Sequence, residues 1–123
     1  MQVVITGAAG MLGIKLVRKI LEKGTLAGAD GSQVKVDQIV ATDIVASPAM
    51  PQDKRVKFVA GDVFDPALIA GLITPGTGSI FHLAGVVSAG AERDFDLGYR
   101  VNLDGTRVVL ATSAVLLLAG ALV

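Results

Sequence analysis

Three glycines, Gly7, Gly10 and Gly13, recur at three-residue intervals in Val3-Val4-Ile5-Thr6-Gly7-Ala8-Ala9-Gly10-Met11-Leu12-Gly13. A short apolar run precedes them and an amphipathic pattern follows. Such a segment carries a strand through a tight turn into a helix, whose first N–H groups have no partner inside the helix. Those amides, at the positive end of the helix dipole, suit an anion that the backbone can approach closely. A side chain at Gly7 or Gly10 would hold the backbone off the ligand or block the turn. Gly13 would let the helix pack close to the sheet. The chemistry that fits is the pyrophosphate of a dinucleotide. The spacing is G-x-x-G-x-x-G rather than G-x-G-x-x-G, so the three roles are assigned by analogy.

Ligands of open parallel sheets bind outside the carboxyl ends of the strands. The candidate strand ends here carry Gly7, Asp43, Asp62 and Ala84-Gly85. A carboxylate at Asp43 can accept hydrogen bonds from both hydroxyls of an adenosine ribose and would repel a 2′-phosphate, which favours NAD over NADP. The alternative is a solvated turn aspartate. Asp62 could reach the adenine amino group while Val63 offers its backbone N–H; the alternative is a helix-entry aspartate. The expected cofactor contacts are Gly7, Ala9, Gly10, Met11, Leu12 and Gly13, then Asp43 and Ile44, Asp62 and Val63, and Leu83, Ala84 and Gly85. His82 has no partner acid or nucleophile pattern and reads as a packed strand histidine rather than a base. With one histidine and no cysteine, no metal site is expected. Glu92, Asp94 and Asp96 read as a solvated, acidic helix start.

These residues need a scaffold, and its elements are legible. Val3–Thr6 is a buried strand. Leu12–Lys23 is a helix with Leu12, Leu16 and Ile20 on one face and Lys15, Lys19 and Lys23 on another, closed by Gly24. Residues 25–32 read as a loop with an Asp30-Gly31 turn. A second strand runs from Gln38 to Thr42, and Ser47–Pro51 is a loop. Val56–Ala60 is a third strand. Asp65 caps a helix that begins at Pro66 and reaches about Ile73. Ser79–Ala84 is a fourth strand, and a last helix starts near Ala91 and runs past Thr106. Strands alternating with helices predict an α/β fold, a Rossmann-type doubly wound parallel sheet, here incomplete with about four strands and flanking helices.

Composition agrees. Of 123 residues 52% are apolar but only 4% aromatic, so Val, Leu, Ile and Ala must fill a sheet buried on both faces. Eleven basic and eleven acidic residues cancel, which argues against nucleic acid as a partner. The absence of cysteine excludes disulfides and suits a cytoplasmic setting. No signal-peptide pattern opens the chain. From Val108 to Val123 no residue is charged. That run is slightly short of the roughly 20 residues of a membrane span. It reads as a helix needing neighbours on all sides. A weak membrane anchor is the minor alternative. A truncated longer chain, or a non-native sequence there, would also account for it.

With these residues in place, the chain resembles the extended short-chain dehydrogenase/reductase (NAD-dependent epimerase/dehydratase) family. The matching pieces are Thr6–Gly13, Gly61-Asp62-Val63, Phe81-His82-Leu83-Ala84-Gly85 and Val101-Asn102-Leu103-Asp104-Gly105-Thr106, in the family's order and covering residues 1 to about 110. Within the family, residues 88–100 look most like the D-erythronate dehydrogenase branch. The resemblance implies a nicotinamide cofactor and hydride transfer at a carbon bearing a hydroxyl. It implies that Asn102 helps order a proton-relay water, a supporting catalytic role, and that Gly105 allows close packing. Ser88 is a candidate substrate contact. The family's base is a tyrosine in Tyr-x-x-x-Lys, where the lysine lowers the phenol's pKa. Here the single tyrosine, Tyr99, is followed four residues later by Leu103, and it precedes Asn102.

Residues 1–123 are thus expected to be the N-terminal part of one NAD-binding domain, with the Tyr-Lys pair and substrate domain absent and the chain alone inactive. The leading reading is the cofactor-binding portion of an NAD-dependent oxidoreductase of a small sugar acid or related substrate. A nucleotide-sugar epimerase or dehydratase with tightly bound NAD, and a non-catalytic NAD-binding module, are the alternatives. A bare edge on the fourth strand predicts self-association into a homo-oligomer.

Overall fold

The computed structural model describes residues 1–121. Leu122 and Val123, the end of the uncharged run, lie outside them.

Four apolar segments form one parallel sheet. They are β1 (Gln2–Thr6), β4 (Gln38–Asp43), β5 (Val56–Ala60) and β6 (Thr77–His82), arranged β5-β4-β1-β6. The strand order reverses at β1, and at such a switch point the loops above neighbouring strands diverge and leave a crevice. Among the described residues no strand pairs with the outer side of β6, and the strand spans Thr77–His82 rather than Ser79–Ala84. Leu83 and Ala84 already belong to the loop. Their amides turn to the carbonyl and side chain of Thr6, at 3.1 and 3.2 Å.

Side chains alternate across the sheet and build two apolar layers. Val3, Ile5, Ile39 and Ala41 meet Val17 and Ile20 of α1 (Met11–Lys23) on one face. Val4 and Val40 meet Ile69 and Leu72 of α2 (Pro66–Leu72), together with Val63, Val101 and Val109, on the other. Local signals set these helices. Asp65 accepts the Ala67 amide at 3.0 Å as the N-cap of α2, and Gly24 closes α1 in the left-handed region at φ 73°. The helix face read from the sequence holds at Ile20, which is buried, and at Leu16, which packs on the same core, but not at Leu12, which is 65% exposed beside the buried Gly13 and Val17. The cause is the seat of Gly13 on the preceding loop, which rotates Leu12 outward.

A second correction concerns residues 25–32. Thr25–Ala27 is strand β2, paired antiparallel with β3 (Gln33–Lys35) in a hairpin. Its tip is tied by Asp30, which accepts the Ser32 amide and hydroxyl. The hairpin lies between α1 and β4, in the segment that leads from the glycines to Asp43.

The last helical region begins at Ser88 rather than near Ala91. It comprises α3 (Ser88–Arg93), α4 (Phe95–Tyr99), a π-helical turn (Arg100–Asp104) and α5 (Gly105–Ala121). Asp94 caps α4 through the Leu97 amide at 3.0 Å. Val101, Gly105 and Val109 lie on the sheet-facing side. Leu110, Val115, Leu117 and Leu118 are exposed. By length and composition alone, Phe95–Ala119 is apolar enough to cross a membrane.

Candidate functional site

The end of β1 fixes the first wall. Gly7 has φ 66°, and a Cβ there would stand 2.6 Å from the Ala84 amide nitrogen, so only glycine fits. A Cβ at Gly13 would stand 2.5 Å from Ala8 Cα and from the Gly7 carbonyl. This glycine therefore seats the helix on the loop more than on the sheet. Gly10 differs: a Cβ would meet nothing closer than the Gly7 oxygen at 3.4 Å. Protein packing does not demand a glycine at position 10. The open space in front of it does, if a ligand is to reach the backbone.

Gly10 is also the N-cap of α1. No side chain caps this helix, and its first turn holds no acidic residue. The amides of its first turn are the free donors a helix start leaves, unneutralised at the positive end of the dipole. A pyrophosphate matches both the charge and the space, so the residues present fit a dinucleotide.

Asp43, at the end of β4, is already turned toward this loop. Its Oδ2 accepts the Ala9 amide at 3.0 Å and its Oδ1 accepts the Ile44 amide at 2.8 Å. A carboxylate has about four acceptor directions. Two are used to hold the loop and the carboxylate in register, and two remain for hydroxyl donors.

Between these groups lies a cleft of about 210 Å³. Of the sequence-predicted contacts, Gly7, Gly10, Asp43, Ile44, Asp62, Val63, Leu83, Ala84 and Gly85 line it. Met11, Leu12 and Gly13 line an adjoining pocket together with Gly7, Gly10 and Leu83. Ala9 lines neither and acts through its amide on Asp43. Ser88 is exposed at the start of α3 and is not among the lining residues. Among the described residues no group of three or more acidic, histidine or cysteine side chains could hold a metal.

The cleft also has a floor and back wall that the sequence reading missed: Thr6, Thr42, Val86, Leu97 and Val101. Thr6 pairs in register with Thr42 on one side and His82 on the other, forming one polar row across three strands. The signal was a threonine as the last inward-facing residue of two otherwise apolar strands.

His82 is a strut in that row. Thr106 donates its hydroxyl to the Asn102 carbonyl at 2.8 Å, so toward His82 Nε2, at 3.0 Å, it accepts. The ring therefore carries its proton on Nε2, and Nδ1 accepts the Thr6 hydroxyl at 2.7 Å. Thr6 Oγ1 in turn accepts the Ala84 amide. Burial holds the imidazole below its ordinary pKa, in line with the neutral form this pattern requires.

Asn102 sits on the π-helical turn, and both ends of its amide are bound to Val86. Its Oδ1 accepts the Val86 amide at 2.8 Å, and its Nδ2 donates to the Val86 carbonyl at 3.0 Å. It thereby fixes the loop that follows β6. Gly105, one turn on, lets α5 approach Val63: a Cβ would stand 2.7 Å from Val63 Cγ1. Tyr99 is half-exposed against Phe95, with ring centroids 6.1 Å apart, and does not line the cleft.

Comparison with known proteins accords with this geometry. The chain is 49% identical over 112 residues to D-erythronate dehydrogenase of Cupriavidus necator, covering 91% of this chain and 34% of that protein. A nucleoside-diphosphate-sugar epimerase from Agrobacterium tumefaciens superposes with a TM-score of 0.74 at 38% identity, over 91% of this chain and 32% of that one. A dTDP-glucose 4,6-dehydratase from Streptomyces venezuelae, solved with NAD bound, gives 0.75 at 26% identity, over 92% and 35%. The chain spans about a third of the length of the curated relatives it matches. The four-stranded parallel sheet is the Rossmann-like sheet of these extended short-chain dehydrogenase/reductase neighbours. Residues 4–117 match the 3-beta hydroxysteroid dehydrogenase/isomerase family, and the chain belongs to that family.

Proposed function

We propose that this chain forms the cofactor-binding portion of an NAD-dependent oxidoreductase that oxidises a hydroxyl of a small sugar acid or a related substrate. The observation that carries the reading is the uncapped start of α1 facing open space at Gly10, with the Asp43 carboxylate latched to the same loop. The 49% identity to a D-erythronate dehydrogenase supports the substrate class.

Bound there, a nicotinamide dinucleotide would supply a hydride acceptor. The chain's own part is to bind and orient. The first-turn amides of α1 would hold the pyrophosphate at the positive end of the helix dipole. Asp43 accepts the ribose hydroxyls and repels a 2′-phosphate, which selects NAD. Asp62 and Val63 offer an acceptor and an amide to the adenine edge. Asn102 holds Val86, and with it the Leu83–Gly85 wall.

Proton transfer needs a group that these residues do not provide. Tyr99 has Leu103 four positions on, in place of a lysine, and lies off the cleft. His82 is committed on both nitrogens. Neither Tyr99 nor His82 therefore serves as the general base, and this chain alone is expected to bind cofactor without turning over.

A second reading, a nucleotide-sugar epimerase or dehydratase, is favoured by the 38% identity to the Agrobacterium tumefaciens epimerase. NADH fluorescence titration of the chain tests cofactor binding itself. Turnover by the full-length enzyme separates the two readings. Stoichiometric NADH released from a four-carbon sugar acid supports the dehydrogenase. Sugar-nucleotide conversion without net NADH supports the alternative.

A further inference from the structure

Thr42 lines the cleft with its hydroxyl unspent. It is 1% exposed, and its Oγ1 is the buried side-chain polar atom without a hydrogen-bond partner among the described residues. A buried hydroxyl in that condition opposes folding, because it has lost water and gained nothing in return. The fold has no use for it. Valine has nearly the same shape, is at least as good a strand former, and already occupies the layer below as Val40.

Its neighbours do not satisfy it. Thr6, beside it in register, is committed to His82 as donor and to the Ala84 amide as acceptor. On the other side the register partner is Val59, which is apolar. The Thr42 carbonyl takes the Ala8 amide at 3.1 Å, which fixes the backbone that carries the hydroxyl. What remains is the cleft, which Thr42 lines between the glycine loop on β1 and the Asp62-Val63 end of β5.

We propose that Thr42 is a ligand contact. Its hydroxyl is a hydrogen-bonding point on the floor of the cleft for the adenosine half of the dinucleotide, made directly or through one water. The assignment to the adenosine half follows from position. The next residue, Asp43, is the acceptor placed for the ribose, and the strand end on the far side carries Asp62 and Val63. The proposal rests on the dinucleotide reading. It adds a buried donor and acceptor that no acidic or glycine pattern reveals.

Calorimetric titration with NADH and with ADP-ribose, together with ligand-free melting, tests it on three proteins: the unaltered chain, Thr42→Val and Thr42→Ser. Thr42→Val should melt no lower than the unaltered chain, since it removes an unpaired hydroxyl, yet bind both ligands about tenfold more weakly. Thr42→Ser keeps the hydroxyl and should stay within about threefold of the unaltered chain. An equal loss for NADH and ADP-ribose locates the contact in their shared adenosine diphosphate part. Binding by Thr42→Val as tight as that of the unaltered chain overturns the proposal and leaves the cofactor reading standing. Failure of the unaltered chain to bind NADH overturns both.

Discussion

The two ends of the sheet are built on opposite principles. At the end where the parallel strands begin, charges are spent on one another. The Met1 ammonium meets Asp37 at 2.7 Å and the Lys35 carbonyl at 2.6 Å. Arg55 meets both oxygens of Asp53, at 3.0 and 2.9 Å. At the end where the strands finish, groups are held open: uncapped amides at α1, spare acceptor capacity on Asp43, and a buried hydroxyl on Thr42. The first end is satisfied by the protein alone. The second leaves donors and acceptors without protein partners, and this contrast, more than the size of the cleft, is what the proposed cofactor site rests on.

The contrast breaks most sharply at the glycines. Gly10→Val should abolish NADH binding, a loss beyond about a hundredfold, while melting falls only by the few degrees that a valine N-cap costs, because beyond the Gly7 carbonyl its side chain meets open space. Gly7→Ala should instead lower the melting temperature, since φ 66° and the 2.6 Å approach to Ala84 penalise any side chain within the protein itself. Circular dichroism melts and NADH titration on both variants separate the two kinds of glycine. Retained affinity in Gly10→Val would remove the phosphate cradle from the argument.

Asp43 is expected to matter next. Asp43→Ala removes a charged acceptor, worth about 10–100-fold in NADH affinity. It should also bring NADPH closer to NADH, since the repulsion of a 2′-phosphate goes with the carboxylate. Part of the loss comes from the Ala9 amide, which is left without its partner. Asp43→Asn keeps an oxygen for that amide and should recover part of the affinity but not the selectivity. Unchanged NADH-to-NADPH ratios in both variants would return Asp43 to the status of a turn residue.

What could be read in the sequence followed the range of the signal. The four sheet strands, the Asp65 cap and the Gly24 stop are written in adjacent residues, and each is where the sequence placed it or within two residues. The β2–β3 hairpin was not legible, because strands of three residues give barely one cycle of alternation. Leu12 departs from the face that Leu16 and Ile20 turn to the core because Gly13 sits against the preceding loop. The residues named for the cleft gather round it because all lie at strand ends, a property of local order along the chain. That Thr6 and Thr42 form the floor was not legible because it depends on which strands become neighbours. That Thr42 lacks a partner is a fact about three strands at once.

His82 offers a subtler test of how the open end is held. Protonation would turn Nδ1 from acceptor to donor and set it against Thr6 Oγ1, which already receives the Ala84 amide and donates its proton to that nitrogen. Burial lowers the folded pKa below the ordinary 6.5. The neutral ring's contribution is complete above 6.5 and is lost as pH falls through the lower folded value. No other charged residue stands on β1 or β6, and on α5 Arg107 faces Asp104 at 3.6 Å. Because His82 is the only histidine, its ring nitrogens are assignable directly in a ¹⁵N spectrum. A neutral Nε2–H form at neutral pH is expected, with NADH affinity falling a few-fold as the ring titrates. An Nδ1–H form would contradict the strut.

The smallest effect on binding belongs to the opposite end, where acid acts in a different range. Hydrogen bonds from the Arg55 side chain and backbone amide hold the Asp53 carboxyl at about 2, below its ordinary 3.8. A depressed carboxylate stabilises the fold above its unfolded value, and that contribution disappears as pH falls from 3.8 toward 2. Asp53→Asn should therefore flatten the stability profile only below about pH 4 and leave NADH affinity at neutral pH unchanged. Melts across the acid range, paired with one titration at neutral pH, check both halves. A change in cofactor affinity in Asp53→Asn would mean that the two ends communicate through β5, and the division of labour between them would have to be redrawn.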